Sequence, residues 1–344
     1  MAYYLGKVPE MTLFDYRQLL YPLRDSWTPP WKAEKTSFDY STFFPVKQPA
    51  TVAQIGNHSL DIIDKIAGDL GNPYGIKCYK PYHSSGEDFL ENYLGMIGIP
   101  IDLVPQFPKD DKIILLTEHA HKDPEIVEKI KQRLIDGKDV IITSGLVNAL
   151  QDRGLRNLVN LEYTSRKASV TGFLVSRNII ETPKPIIIPQ IQYNTNDSWE
   201  LISGMDSGLG WPFLHQANFA NGMLYMITIP ENFADLYNLP VEVLNKVREI
   251  VCSPLGIELN GGSQVSLFLY DNNTFVVESF NDKPVEVEVL LSKKPISVTD
   301  LSTNIKLEMK IVPQGRFQRG KGVPEKYSYK IKLPTHSFGA FIIE

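Results

Sequence analysis

Three clusters of polar residues in this 344-residue chain have the types and spacing to do chemistry. The first, Tyr79-Lys80-Pro81-Tyr82-His83-Ser84-Ser85-Gly86-Glu87-Asp88, combines aromatic faces, an imidazole, hydroxyls and carboxylates. Leading into a helix, it would offer free backbone N–H groups and the positive end of the dipole to an anionic or hydroxyl-rich ligand. The plainer alternative is a capped helix whose Tyr82 and His83 satisfy local backbone groups. The second cluster, Thr117-Glu118-His119-Ala120-His121, puts two imidazoles and a carboxylate in one loop. That is part of a metal site, but with no further ligand nearby a surface loop explains it as well. The third, Thr143-Ser144-Gly145-Leu146, is a strand-to-helix turn at which Gly145 either lets a ligand approach or relieves a steric conflict. The candidate ligand-binding residues are therefore Tyr79, Tyr82, His83, Ser84, Glu87, Glu118, His119 and Ser144. No residue is assigned a catalytic role, and no metal or cofactor is expected.

Several motifs are missing from the sequence. It contains no G-x-S-x-G elbow or cysteine counterpart, no G-x-x-x-x-G-K-[ST] phosphate loop and no G-x-G-x-x-G fingerprint. Cys78 falls inside an expected strand and Cys252 near a helix end, so both read as reduced core residues rather than activated thiols. Gly204 to Gly210, GMDSGLG, reads as a mobile loop beside an uncommitted His215.

The clusters need a scaffold, and Lys112 to Leu146 supplies its clearest part. Ile113 to Leu116 is a continuous apolar run, as in a strand covered on both faces. Asp123-Pro124-Glu125 opens a helix, Ile126, Ile130 and Leu134 carry its apolar stripe, Gly137 ends it, and Val140 to Ile142 is a second buried strand. A crossover this short joins parallel strands in the right-handed sense. Upstream, His58 to Leu70 reads as a helix, Tyr74 to Tyr79 as a strand, Ser85 to Met96 as a helix capped by Ser85, and Ile99 to Val104 as a strand. Downstream come a helix near Leu146 to Gln151, strands near Ser169 to Leu174 and Ile186 to Ile191, a hairpin-like Gly222 to Ile229, and a helix at Val241 to Val251. The alternation predicts an α/β fold with a doubly wound, mostly parallel sheet, whose ligands bind beyond the carboxyl ends of the strands.

After Leu255-Gly256 only strands and turns are expected: Val265 to Tyr270 and Thr274 to Phe280 around Asp271-Asn272-Asn273, then Val285 to Leu291, Tyr327 to Leu333 and Phe338 to Ile343. The domain reading is a Trp- and Pro-rich wrapping segment at 1–56, an α/β domain at 57–255, and an antiparallel β-sandwich at 256–344. The wrapping segment carries Trp27, Trp31, Phe43 and Phe44.

A net charge of −5 with no large basic block gives no reason to expect nucleic acid, and Arg316 to Lys321 reads as an exposed loop. No stretch approaches the roughly 20 apolar residues of a membrane span, and no signal peptide is legible. The abrupt start at MAYYLGKVPEM looks like an element already under way, so an extracytoplasmic origin within a longer secreted protein stays open and the location is unassigned.

With these residues laid out, the region from about 58 to 252 resembles the class I glutamine amidotransferase-like domains, of flavodoxin-like fold. The variant it is most similar to stands behind the catalytic barrel of β-galactosidases and related glycoside hydrolases. The resemblance rests on Gly75 to Pro81, on IILLTEHA with DGKDVIITSG, and on GMLYMITIP, with a small sandwich following as in many glycosidases. It implies a degenerate copy, because the elbow cysteine and its partners are missing. It further implies an accessory, assembly or ligand-binding region of a carbohydrate-active protein, with a carbohydrate ligand, an upstream barrel or a second copy as partner. The competing expectation is a hydrolase, with or without a metal, drawing His83, Glu87, Glu118 and His119 together at the strand ends.

Overall fold

The computed structural model describes residues 52–194, 196–312 and 325–344. The aromatic N-terminal segment and the basic run from Arg316 to Lys321 lie outside the described residues. The chain opens with α1 (Val52–Ala67), then β1 (Pro73–Tyr74) and β2 (Ile76–Tyr79). The single strand expected from Tyr74 to Tyr79 is thus broken at Gly75. A Cβ there would come within 2.7 Å of the Pro100 backbone, so only glycine lets the two segments pass so closely. Next come α2 (Leu90–Met96), β3 (Ile101–Val104), β4 (Ile113–Leu116), α3 (Ile126–Ile135), β5 (Asp139–Thr143) and α4 (Ser144–Leu150). Five strands follow, β6 (Leu161–Val175), β7 (Asn178–Tyr193), β8 (Ser198–Asp206), β9 (Leu209–Phe219) and β10 (Gly222–Ile227), and then α5 (Val241–Val251).

These strands, β1 apart, form one sheet in the order β3-β2-β4-β5-β10-β9-β8-β6-β7. The pairings from β3 through β10 are parallel and those from β10 through β7 antiparallel. Side chains alternate across a strand, so the apolar runs of β4 and β5 feed two cores. Leu115 and Ile141 join Leu90 and Leu94 of α2 and Val243, Leu244 and Val247 of α5 on one face. Ile114, Leu116, Val140 and Ile142 join Ile126, Ile130 and Leu134 of α3 and Leu146, Val147 and Leu150 of α4 on the other.

The fold is therefore mixed α/β with extensive antiparallel structure, which corrects the expectation of a mostly parallel sheet. The antiparallel half was hidden because β7 carries Pro183, Pro185 and Pro189, which argue against a sheet interior. It lies at the sheet edge, where a missing N–H leaves no ladder bond unmade. The glycine-rich Gly204 to Gly210 is no mobile loop but the β8–β9 hairpin, turning at Ser207 (φ 52°) and Gly208 (φ 83°). The stretch GMLYMITI is no hairpin: its first six residues form the single strand β10, wedged between β5 and β9.

The C-terminal region stacks two antiparallel sheets. Its strands are β11 (Ile257–Asn260), β12 (Val265–Tyr270), β13 (Thr274–Ser279), β14 (Val285–Leu291), β15 (Val298–Asp300), β16 (Met309–Val312), β17 (Lys326–Leu333) and β18 (Phe338–Ile343). One sheet runs β1-β12-β13-β18-β15 and the other β11-β14-β17-β16. Val265, Leu267 and Leu269 of β12 face the sandwich core, while Phe268 and Tyr270 turn outward under Ile66 and Leu70 from the α1 end.

Two buried arginines fasten loops to this framework. Arg133 donates to the carbonyls of Pro108, Lys109, Asp111 and Asp139. Arg248 of α5 donates to the carbonyls of Ile97, Gly261 and Gly262 and to Asn245 Oδ1, joining the α/β sheet to the start of the sandwich. Cys78 and Cys252 are free and buried. Among the described residues no helix is long and apolar enough to cross a membrane.

Candidate functional site

The polar side chains gather where β2, β4 and β5 end, as expected of an open parallel sheet. The segment after β2 departs from its expected form. The helix anticipated from Ser85 begins only at Leu90, and Phe89, at its N-cap position, has φ 68° with no side-chain cap. His83 (φ 59°), Gly86 (φ 124°) and Glu87 (φ 46°) are left-handed as well. Three non-glycine residues in that region within seven positions is a strained loop.

Glu87 holds the loop in place. Its Oε2 accepts from the backbone N–H of Glu118 at 2.8 Å and from the Thr143 hydroxyl at 2.6 Å, while Oε1 accepts from Gly145 N–H at 3.2 Å. A Cβ on Gly145 would lie 2.4 Å from Glu87 Oε1, and one on Gly86 2.8 Å from the Glu118 side chain, so both glycines permit the approach. Burial pushes the Glu87 carboxyl up to about 7, against the lowering effect of Thr143 and the two N–H groups. The chain's own carboxylate thus occupies the N–H cradle that a bound anion would use.

His119 lies on the short 3-10 turn after β4 and is fully buried. Its Nε2 faces Asp88 Oδ1 at 3.6 Å and Glu91 Oε1 at 3.8 Å, both beyond hydrogen-bond length. Burial lowers its basicity, partly offset by the charges of Glu91 and Asp88. His121 turns elsewhere, its Nδ1 2.6 Å from the Glu118 carbonyl. No group of three or more His, Cys, Asp or Glu among the described residues is arranged to hold a metal ion.

The other candidates disperse. Tyr79 is buried on the α3 face, donating to Asp123 Oδ2 at 3.0 Å and meeting Phe107 edge to face. Tyr82 and His83 are exposed, Tyr82 at 75%. Ser144 accepts from Ile229 N–H at 2.9 Å, tying β5 to the segment after β10. Glu87 and Glu118 meet, with His119 next along the chain, whereas Tyr79 and Ser144 serve the framework. The sequence reading missed Glu91, and it left Thr143 out of the candidates although it stands in the third cluster. Glu91 sits beside Leu90 and Leu94 on the apolar stripe of α2, and a carboxylate in that place was the available signal.

Glu87→Gln places an amide donor against Gly145 N–H. The folded carboxyl's raised value means wild type gains stability from this group below 4.5 and loses it as pH rises through 7. Urea denaturation from pH 4.5 to 8 should show that component removed in the variant. An unchanged profile would mean Glu87 is not the titrating group.

A cavity of about 320 Å³ lies at the sandwich edge, lined by Tyr74, Leu255, Phe275, Ser292 and Lys293 among others, and none of the candidate residues borders it.

With this geometry established, comparisons with known proteins give two family matches. Residues 71–232 match the model for the second domain of the uncharacterized protein SSO3021. Residues 256–343 match a glycosyl hydrolase C-terminal domain, described as probable. Among solved structures, the chain is similar to Gan42B, a GH42 β-galactosidase from G. stearothermophilus, at 12% identity and TM-score 0.48, covering 85% of this chain and 44% of that one. It is also similar to a β-galactosidase from Bacillus circulans sp. alkalophilus, at 13% identity and TM-score 0.48, covering 86% and 45%. The chain spans less than half the length of these enzymes. No curated protein matches it.

Proposed function

We propose that this chain is a non-catalytic accessory region of a carbohydrate-active, glycoside-hydrolase-related protein, acting in assembly or ligand binding. The match of residues 256–343 to a glycosyl hydrolase C-terminal domain carries this reading. The filled cradle at the strand ends supports its non-catalytic part, because Glu87 already takes the N–H groups of Glu118 and Gly145 that could stabilise a developing negative charge. On the same reading, residues 57–255 are a degenerate class I glutamine amidotransferase-like domain. The parallel strands, in order of appearance, lie 2-1-3-4-5 with helices against both faces, which is the flavodoxin-like order. An upstream catalytic barrel, or a second copy of this chain, is its assembly partner.

The approach of His119 to Glu91 and Asp88 favours a second reading as a hydrolase. Assaying the purified chain against nitrophenyl glycosides of the common hexoses separates the two. We expect no turnover above buffer. Turnover abolished by both Glu91→Gln and His119→Gln would overturn the accessory reading.

A further inference from the structure

His119 is wholly buried, yet neither ring nitrogen has a protein partner. Glu91, 7% exposed, has an unpartnered Oε1. In the loop that follows β2, the Ser84 hydroxyl is shut from solvent and also unpartnered. Buried polar groups in native proteins are hydrogen-bonded almost without exception, so unpartnered groups on His119 and Glu91 that face each other at 3.8 Å point to something that satisfies both.

We propose that the junction of the 80–89 loop, the first turn of α2 and the end of β4 is a binding site for sugar hydroxyls, gripped by Glu91 and His119 with Asp88 at its mouth.

This inference deepens the carbohydrate reading and rests on it. The chemistry of the grip selects the ligand. Two carboxyl groups accept, and a neutral imidazole offers one donor and one acceptor. The set is rich in acceptors and calls for a compact ligand with several O–H donors. An anion would face Asp88 and Glu91. Asp88, Glu91 and His119 are not arranged as a metal-holding group. The distances of 3.6 and 3.8 Å from His119 Nε2 are too long for direct bonds, but one hydroxyl oxygen can bridge each pair.

Asp88 is 57% exposed at its side chain and so stands between the enclosed groups and solvent. On the same loop Tyr82 and Phe89 are 75% and 72% exposed, and aromatic faces of this kind suit the C–H faces of a pyranose. Phe89 is held outward by a left-handed backbone that a bulky residue adopts only at a cost, which makes its display a feature to be explained by use.

The test is thermal-shift titration of the full chain with D-galactose, D-glucose, D-mannose and methylammonium chloride. Wild type is compared with Glu91→Gln, His119→Gln and Phe89→Ala. We expect a saturable rise in Tm with at least one sugar, its midpoint raised about tenfold or more in the Glu91 and His119 variants. Phe89→Ala, altered only at the surface, should keep the sugar-free Tm and weaken the response, which guards against misfolding of the buried variants. A response to methylammonium alone would overturn the proposal in favour of a cation site. Sugar binding unaffected by all three variants would overturn it while leaving the carbohydrate reading in place. No response to any sugar would mean that water alone satisfies these groups. That too would overturn the proposed site, and the accessory reading would still stand or fall by the glycoside assay.

Discussion

Arg248→Met lowers stability by about 4 kcal/mol, because it strands several buried acceptors at once. The guanidinium is fully buried and donates at 2.6 Å to Ile97 O, 2.7 Å to Gly261 O and 2.8 Å to Gly262 O. Burial lowers its pKa to about 10, so it remains charged at neutral pH. Methionine fills much of the volume but donates nothing, leaving three carbonyls without partners. The joint between the α/β sheet and the sandwich should suffer most. All four tryptophans precede residue 212, so their fluorescence does not report directly on the sandwich, whereas far-ultraviolet ellipticity sees both regions. In urea the variant should show the two signals separating. Coincident transitions with a loss under about 1 kcal/mol would show that Arg248 is not the fastener described.

The second large effect is one of pH and lies at His215. This residue of β9 is fully buried, packs edge to face on Tyr193 at 4.8 Å, and has neither ring nitrogen paired. Burial pulls its pKa down to about 4, with the Asp197 charge opposing. The unfolded chain binds a proton near 6.5 that the folded chain refuses, so full stability is present above 6.5 and drains away as pH falls toward 4. From 6.5 to about 4, at roughly 1.4 kcal/mol per pH unit, the loss is about 3 kcal/mol. Glu87 acts in nearly the same window with the opposite sign, gaining stability as pH falls from 7 to 4.5. The two oppose each other between pH 7 and 4.5, and His119, whose basicity burial also lowers, adds to the His215 side. His215→Phe keeps the ring on Tyr193 and removes the His215 component, so on acidification the variant should gain stability relative to wild type. A variant whose pH profile has the same shape as wild type's would show that His215 does not titrate in this range.

Local signals made part of this architecture legible. Asp123 does accept from Glu125 N–H at 3.0 Å ahead of α3, Gly137 takes a left-handed φ of 74°, and the apolar runs of β4 and β5 are buried throughout except at Asp139. The start of α2 was not legible. Ser85 and Asp88 imitate a capping box, but the groups that decide the local backbone, Glu118 N–H and Gly145 N–H, lie 31 and 58 residues from Glu87. The long β6–β7 pair was seen only in its apolar parts, since its prolines and charges lie on an edge that sequence alone cannot locate. At the candidate site, loop residues were found by type, but which would turn inward depended on packing. His119 entered and His121 did not, although they are two positions apart.

The short strand β1 has a consequence for biosynthesis. Pro73 pairs with Tyr270 and Tyr74 with Leu269, and Ile66 and Leu70 lie against Phe268 and Tyr270. At translation rates of 5 to 20 residues per second, the intervening stretch takes roughly 10 to 40 s to emerge. During that interval the apolar side of α1 is a surface without its seat, open to chaperones and to neighbouring nascent chains. The sandwich cannot close around its full complement of strands until β18 has left the ribosome.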